Sequence, residues 1–177
     1  MLFRSGDIAQ RAVPLLRSRY RIIYALARSQ ARVAALRALG LVPVAGDLDM
    51  PSTLHGLAGI AHDVLHCAPP PVRGSRDTRT AHLIAALAKG KSLPQHFVYI
   101  STTGVYGDCA GAWIDETQPL HPQTARAQRR VDAESRLREW GRRSGVRISV
   151  LRAPGIDRKS TRLNSSHSQQ SRMPSSA

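Results

Sequence analysis

Apolar positions along the chain switch between two periods, and the switches mark the elements. Residues 97–100 form an unbroken apolar run, Phe97, Val98, Tyr99 and Ile100. A short β-branched and aromatic run of this kind reads as a strand buried on both faces of a parallel sheet. Comparable runs at 21–27, 41–45, 61–68 and 146–151 predict four further strands. Between them the spacing turns helical. Residues 12–19 place Ala12, Val13, Leu15 and Leu16 on an apolar face, while Pro14 predicts a kink or a late start. Ser29 is a natural N-cap for a helix over 30–39, which Gly40 closes. A short helix is expected over 51–57 and an amphipathic one over 78–89, with Leu83, Ile84 and Leu87 inward and Gly90 at its end. Residues 72–77 and 111–122 read as loops, and 124–143 as a long arginine-rich helix. Strands alternating with helices in this order predict an α/β fold, a doubly wound parallel sheet.

Ligands of such sheets bind at the carboxyl ends of the strands. There the run 97–100 turns abruptly into Ser101-Thr102-Thr103-Gly104, followed by Tyr106 and Gly107. The hydroxyls are well placed for chemistry, although an isolated cluster of this kind is also an ordinary polar turn. Near the start, Gly6, Asp7, Ile8 and Ala9 lead into the first helix. Gly6 and Ala9 fit the second and third small positions of the phosphate-binding G-x-G-x-x-G/A pattern, with Arg4 in the place of the first glycine. A glycine before a helix can equally be a plain cap. His66, on a predicted strand, reads as structural rather than as a metal ligand.

Composition changes this picture in two respects. The formal charge is +14, which invites a nucleic-acid partner. Setting aside residues 1–5 and 157–177 leaves +10, spread over Arg17, Arg19, Arg32, Arg37, Arg129, Arg142 and Arg143 without interleaved aromatics. A solvated arginine surface is the expectation, and nucleic acid is not the expected partner. Cys67 and Cys109 are too few for a scaffold or zinc site and read as reduced thiols of a cytoplasmic protein. No apolar run reaches the length of a membrane span.

The two ends have a different character. From Arg158 the chain is polar, serine-rich and aperiodic. Asp157-Arg158-Lys159-Ser160 can be encoded by GATCGGAAGAGC, the start of a common sequencing adapter. The reverse complement, read one base on and completed with T, encodes residues 2–5, Leu-Phe-Arg-Ser. Residues 1–5 and about 157–177 are therefore read as adapter-like translation flanking a partial domain over 6–156. On this reading the first strand and the C-terminal substrate segment are missing, and residues 1–4 are expected to fill the central slot of the sheet as a stub.

The wording S-T-T-G-V-Y-G at 101–107 resembles the S-S-x-x-V-Y-G of extended short-chain dehydrogenase/reductases, the NAD-dependent epimerase/dehydratase group. The likeness spans Gly6 to Ile156 and is nearest in wording to the atypical, YeeZ-like branch. It includes Gly46-Asp47-Leu48, the W-I-D-E-T-x-P-L-x-P text at 113–122 and the R-x-P-G turn at Arg152, Pro154 and Gly155. It implies a Rossmann-like NAD(P)-binding fold and a small-molecule substrate. Gly6, Asp7, Ile8, Asp47, Leu48, Ala68, Pro69, Ser101, Pro154 and Gly155 would surround the cofactor, and the loop at 113–122 would mainly pack and turn. Arg28 and Ser29, after the second strand, would meet the adenosine ribose. An arginine there accommodates the 2′-phosphate, so NADP is the expected cofactor, ahead of NAD. Arg28 could also be a plain surface residue. The active hydroxyl of the family falls on Thr102. Its Y-x-x-x-K-x-x-A-E text, anchored on Ala133 and Glu134, puts Arg126 in the tyrosine position and Arg130 in the lysine position. A guanidinium does not shuttle protons at neutral pH. Arg130 could still be a fixed cation near the ribose, and Tyr106 is the nearest substitute acid. The resemblance leaves two readings open, an NADP-dependent oxidoreductase or epimerase-like enzyme with an altered acid, or a non-catalytic NADP-binding sensor or scaffold.

Overall fold

The computed structural model describes residues 2–4 and 7–154, with side chains from Ile8 onward. Six strands, β1 (Leu2–Arg4), β2 (Tyr24–Ala27), β3 (Val42–Ala45), β4 (Asp63–His66), β5 (His96–Thr102) and β6 (Arg147–Ala153), form one sheet. Its order is β3-β2-β1-β4-β5-β6, and every pairing is parallel. This is the doubly wound arrangement expected from the sequence. Residues 2–4 occupy the central slot: Leu2–Arg4 pairs with Tyr24–Leu26 on one side, and Leu2 and Phe3 pair with Val64 and Leu65 on the other.

Several boundaries differ from the sequence reading, each for a visible reason. β2 begins at Tyr24 rather than residue 21, because its neighbours β1 and β3 are only three and four residues long. Ile23 is still buried, but beside the ladder rather than in it. β6 runs on through Arg152 and Ala153, read above as a turn, because all seven of its residues pair with β5. The first helix, α1 (Asp7–Arg17), neither starts late nor stops at Pro14. Pro14 is exposed on the outer side of the helix, where its missing N–H is least costly. Leu15, expected inward, is 75% exposed. The inward residues are Ala9, Val13 and Leu16, spaced four and three apart, and Leu15 falls on the opposite side. The segment Pro51–Leu57 is a 3-10 helix.

Two apolar layers sandwich the sheet. α1 and α2 (Gln30–Ala38) cover one face through Ala9, Val13 and Leu36 against Ile23, Ala25 and Ala27. α3 (Thr78–Leu87) and α4 (Ala125–Ser144) cover the other through Leu83, Leu87, Ala133 and Leu137 against Val64, Phe97 and Tyr99. β5 alternates accordingly: Phe97, Tyr99 and Ser101 are buried toward α4, while Val98, Ile100 and Thr102 point the other way and are half-buried. The inward row of α4 is Ala127, Arg130, Ala133, Glu134 and Leu137, so it carries a guanidinium and a carboxylate into the interior. No helix among the described residues is long and apolar enough to cross a membrane.

Candidate functional site

The parallel strands bring the carboxyl ends of β2, β3, β4 and β5 to one edge, and with them most of the expected site residues. Arg28 follows β2 and is exposed, with its guanidinium 4.0 Å from the Asp47 carboxylate. Ser29 caps α2 by accepting from the Arg32 N–H. The loop after β3 is tightly built. Asp47 N–H donates to Thr53 Oγ1 at 2.8 Å, Asp49 N–H donates to the Asp47 carboxylate at 3.0 Å, and Leu48 is buried. Gly46 is required there, since an added Cβ would lie 2.9 Å from Leu26 Cδ1 and 3.0 Å from Thr53 O. Ala68 is buried and Pro69 exposed in the turn after β4. Ala9 is fully buried against the strands, in agreement with its small-residue position. Ile8 is half-buried and Pro154 exposed. Gly6, Gly155 and the Asp7 side chain lie outside the described residues.

β5 delivers Ser101 and Thr102 to opposite faces. Ser101 Oγ donates to Glu134 at 2.5 Å inside the α4 layer. Thr102 accepts from Gly104 N–H at 3.3 Å, which closes the short 3-10 turn Thr103–Tyr106. Gly107 ends that turn at φ +76°, and a Cβ there would collide with the His121 carbonyl oxygen. Gly107→Ala should therefore destabilise the chain by about 1–3 kcal/mol, read as a lower midpoint in urea unfolding.

The arginines separate sharply. Arg126 is exposed on the first turn of α4. Arg130 is buried, and its Nη1 donates to Ala68 O at 3.3 Å, Tyr99 Oη at 2.9 Å and Ile100 O at 2.8 Å. Its Nε is buried without a partner among the described residues. Burial raises the Tyr99 phenol well above its ordinary range, with Arg130 opposing the shift. Arg129, expected on a solvated surface, is also buried and donates to Gly74 O at 2.7 Å. His66 is structural in geometry: Nε2 lies 3.0 Å from Thr80 Oγ1, and its ring stacks on Tyr99. Burial pushes the Cys67 thiol up to about 11, against the attraction of Arg130.

A second cluster was missed by sequence reasoning. Glu134 is fully buried and accepts from Ser101, from Arg138 at 3.2 Å and from Arg152 Nη2 at 2.8 Å. Arg152 also donates to Tyr106 Oη at 2.7 Å and to Glu116 O at 3.3 Å, and lies over the Tyr106 ring. Beside it is a cavity of about 560 Å³ bordered by Tyr106, Glu116, Arg138 and Arg152. Trp113, expected to pack, is fully exposed. No hydrogen bond among the described residues joins Thr102 to Arg126 or Arg130.

This edge, with a small residue under the first helix, a capped second helix and a basic residue after β2, fits a dinucleotide. The NAD(P)H-binding family matches residues 5–175. The chain belongs to that family. Its cofactor is accordingly NAD or NADP. No curated protein matches the chain. Among solved structures, this NAD(P)H-binding protein is similar to a dTDP-glucose 4,6-dehydratase double mutant from Streptomyces venezuelae with NAD bound, at 22% identity and TM-score 0.68. That match covers 86% of this chain and 55% of the other. It is also similar to UDP-glucuronic acid 4-epimerase from Bacillus cereus in complex with NAD, at 19% identity and TM-score 0.69, covering 86% and 55%. UDP-N-acetylglucosamine 4-epimerase from the same organism matches at 18% identity and TM-score 0.69, covering 85% and 52%. At these identities the likeness shows the fold, and the chain spans about half the length of the structures it matches.

Proposed function

We propose that the chain is the cofactor-binding part of an NADP-preferring oxidoreductase or epimerase-like enzyme of the extended short-chain dehydrogenase/reductase type, in its YeeZ-like branch. The substrate class is a carbonyl or sugar-nucleotide-type small molecule. The observation that carries the cofactor preference is Arg28, exposed after β2 next to the N-terminus of α2, with no acidic residue in that helix's first turn. An acidic residue in the place of Arg28 would bind a ribose 2′-hydroxyl and repel a phosphate, whereas a guanidinium offers a fork of donors to it.

When bound, the nicotinamide supplies hydride transfer. The chain's own residues would do the rest. Gly6 and the first turn of α1 would face the pyrophosphate. Asp47 and Leu48 would flank the adenine, and Ala68 and Pro69 would pass beneath the cofactor. Thr102, at the carboxyl end of β5, would orient a substrate carbonyl. Tyr106 Oη already accepts from Arg152, so a proton from Tyr106 would have to leave a phenol held by that guanidinium. The non-catalytic reading, an NADP-binding sensor or scaffold, draws on one further observation: the tyrosine and lysine positions hold an exposed Arg126 and a buried Arg130 tied to protein oxygens.

Arg28→Ala tests the preference. The variant should lose at least about tenfold in NADP affinity, as expected for a charge-assisted contact to a phosphate, and little in NAD affinity, by titration calorimetry. Equal losses for both cofactors would show that Arg28 does not read the 2′-phosphate.

A further inference from the structure

The loop after β3 and the turn after β4 belong to strands that are not neighbours. In the order β3-β2-β1-β4 they stand three strand intervals apart, about 14 Å at the usual spacing. One side chain nevertheless holds both. Arg79, on the first turn of α3, donates from Nε and Nη2 to the two oxygens of the Asp49 carboxylate, each at 2.7 Å. Its Nη1 donates to Pro69 O at 3.0 Å and to Pro70 O at 3.4 Å. The bidentate face of the guanidinium is spent on one loop and its far nitrogen on the other. The ion pair with Asp49 holds the Arg79 guanidinium above its ordinary pKa.

The contact continues into the expected adenosine wall. Asp49 N–H donates to the Asp47 carboxylate, and that carboxylate lies 4.0 Å from Arg28. A second residue of α3 acts on the same loop, with His82 Nδ1 2.7 Å from Leu48 O. α3 thus fixes the loop that carries Asp47 and Leu48 at two points, and ties it to the Pro69 turn at a third.

We propose that Arg79 is a positioning residue for the cofactor: it clamps the β3 and β4 loops at the spacing that an adenine dinucleotide needs. The proposal rests on the NADP-binding reading above and adds a residue that touches no part of the expected ligand. A preorganised cleft spares the ordering of two loops on binding, so loss of the clamp appears as loss of affinity. The planar fork is the essential feature. A lysine at the same place keeps a cation beside Asp49 but cannot make two parallel bonds to the carboxylate while reaching Pro69 O.

The test compares Arg79→Ala, Arg79→Lys and Asp49→Asn in the 177-residue chain, with NADP affinity measured by calorimetry and the melting temperature of the apo chain beside it. Arg79→Ala is expected to weaken NADP at least tenfold. Arg79→Lys should return the melting temperature to near that of the parent while leaving the affinity low. Asp49→Asn preserves shape and covers the case in which Arg79→Ala does not fold; it should weaken NADP severalfold. Parent-like affinity in these variants, or recovery of affinity and melting temperature together in Arg79→Lys, would leave Arg79 a purely structural residue and overturn the proposal. Failure of the parent chain itself to bind NADP would instead overturn the cofactor reading, and the clamp with it.

Discussion

Glu134→Ala should lower the stability of the chain more than any surface change, by about 3–5 kcal/mol, because it leaves a buried cation without its partner. Glu134 is fully buried, and the Arg152 side chain that meets it at 2.8 Å is 10% exposed. The carboxylate also accepts the Ser101 hydroxyl, so one truncation removes the counter-ion of Arg152 and the acceptor of Ser101 together. In a chain of this size the loss corresponds to a melting temperature lower by roughly 6–20 °C. Glu134→Gln keeps the volume and one acceptor and should cost clearly less. The effect should reach beyond α4, because Arg152 passes it to Tyr106 and to the Glu116 carbonyl. Melting followed by near-ultraviolet circular dichroism or calorimetry measures it in the two variants, and equal, small shifts for both would show that the cluster contributes little.

The second large effect concerns rate. A positioned general acid contributes about 10²–10⁴-fold, and on the enzymatic reading proposed above its place falls to Arg126, which is exposed. The double variant Arg126→Tyr, Arg130→Lys restores the phenol and the ammonium that the family's text calls for. Hydride transfer from NADPH to small carbonyl compounds should rise in it by about 10²–10⁴-fold over the parent, followed by loss of NADPH absorbance. Thr102→Ala in that background should abolish the gain. If the double variant binds NADPH as the parent does and remains inert toward a broad carbonyl panel, the sensor or scaffold reading gains and the enzymatic one loses.

The parts of this fold that were legible are those governed by local pattern. The run Phe97–Ile100 reads as an interior strand, and it pairs on both sides in the sheet, with Phe97 and Tyr99 buried and Val98 and Ile100 half-buried. Ser29 and Gly40 are read from their neighbours alone, and both act at the ends of α2 as expected, Gly40 at φ +67°. Misreadings arose where a side chain's fate depends on the tertiary partner. The charge of Arg129 points it to solvent, yet α4 buries it against the 72–77 loop. Arg130 and Glu134 carried a usable signal: with Ala127, Ala133 and Leu137 they fall on one helical stripe, which is the stripe that faces the sheet. Trp113 departs in the other direction: the resemblance implies a loop that mainly packs and turns, and the structure leaves this side chain fully exposed. The Arg79 clamp could not be read at all. It joins residues 30 and 10 positions away whose loops meet only after β3 and β4 have taken their places in the sheet.

The central claim is that the carboxyl edge of this sheet is a dinucleotide site that prefers the 2′-phosphate. Parallel calorimetric titrations of the 177-residue chain with NADP and with NAD test it most directly. The account predicts saturable one-to-one binding of both, with NADP the tighter by at least about tenfold, the scale of one charge-assisted phosphate contact. Binding of neither, or tighter binding of NAD, would contradict it.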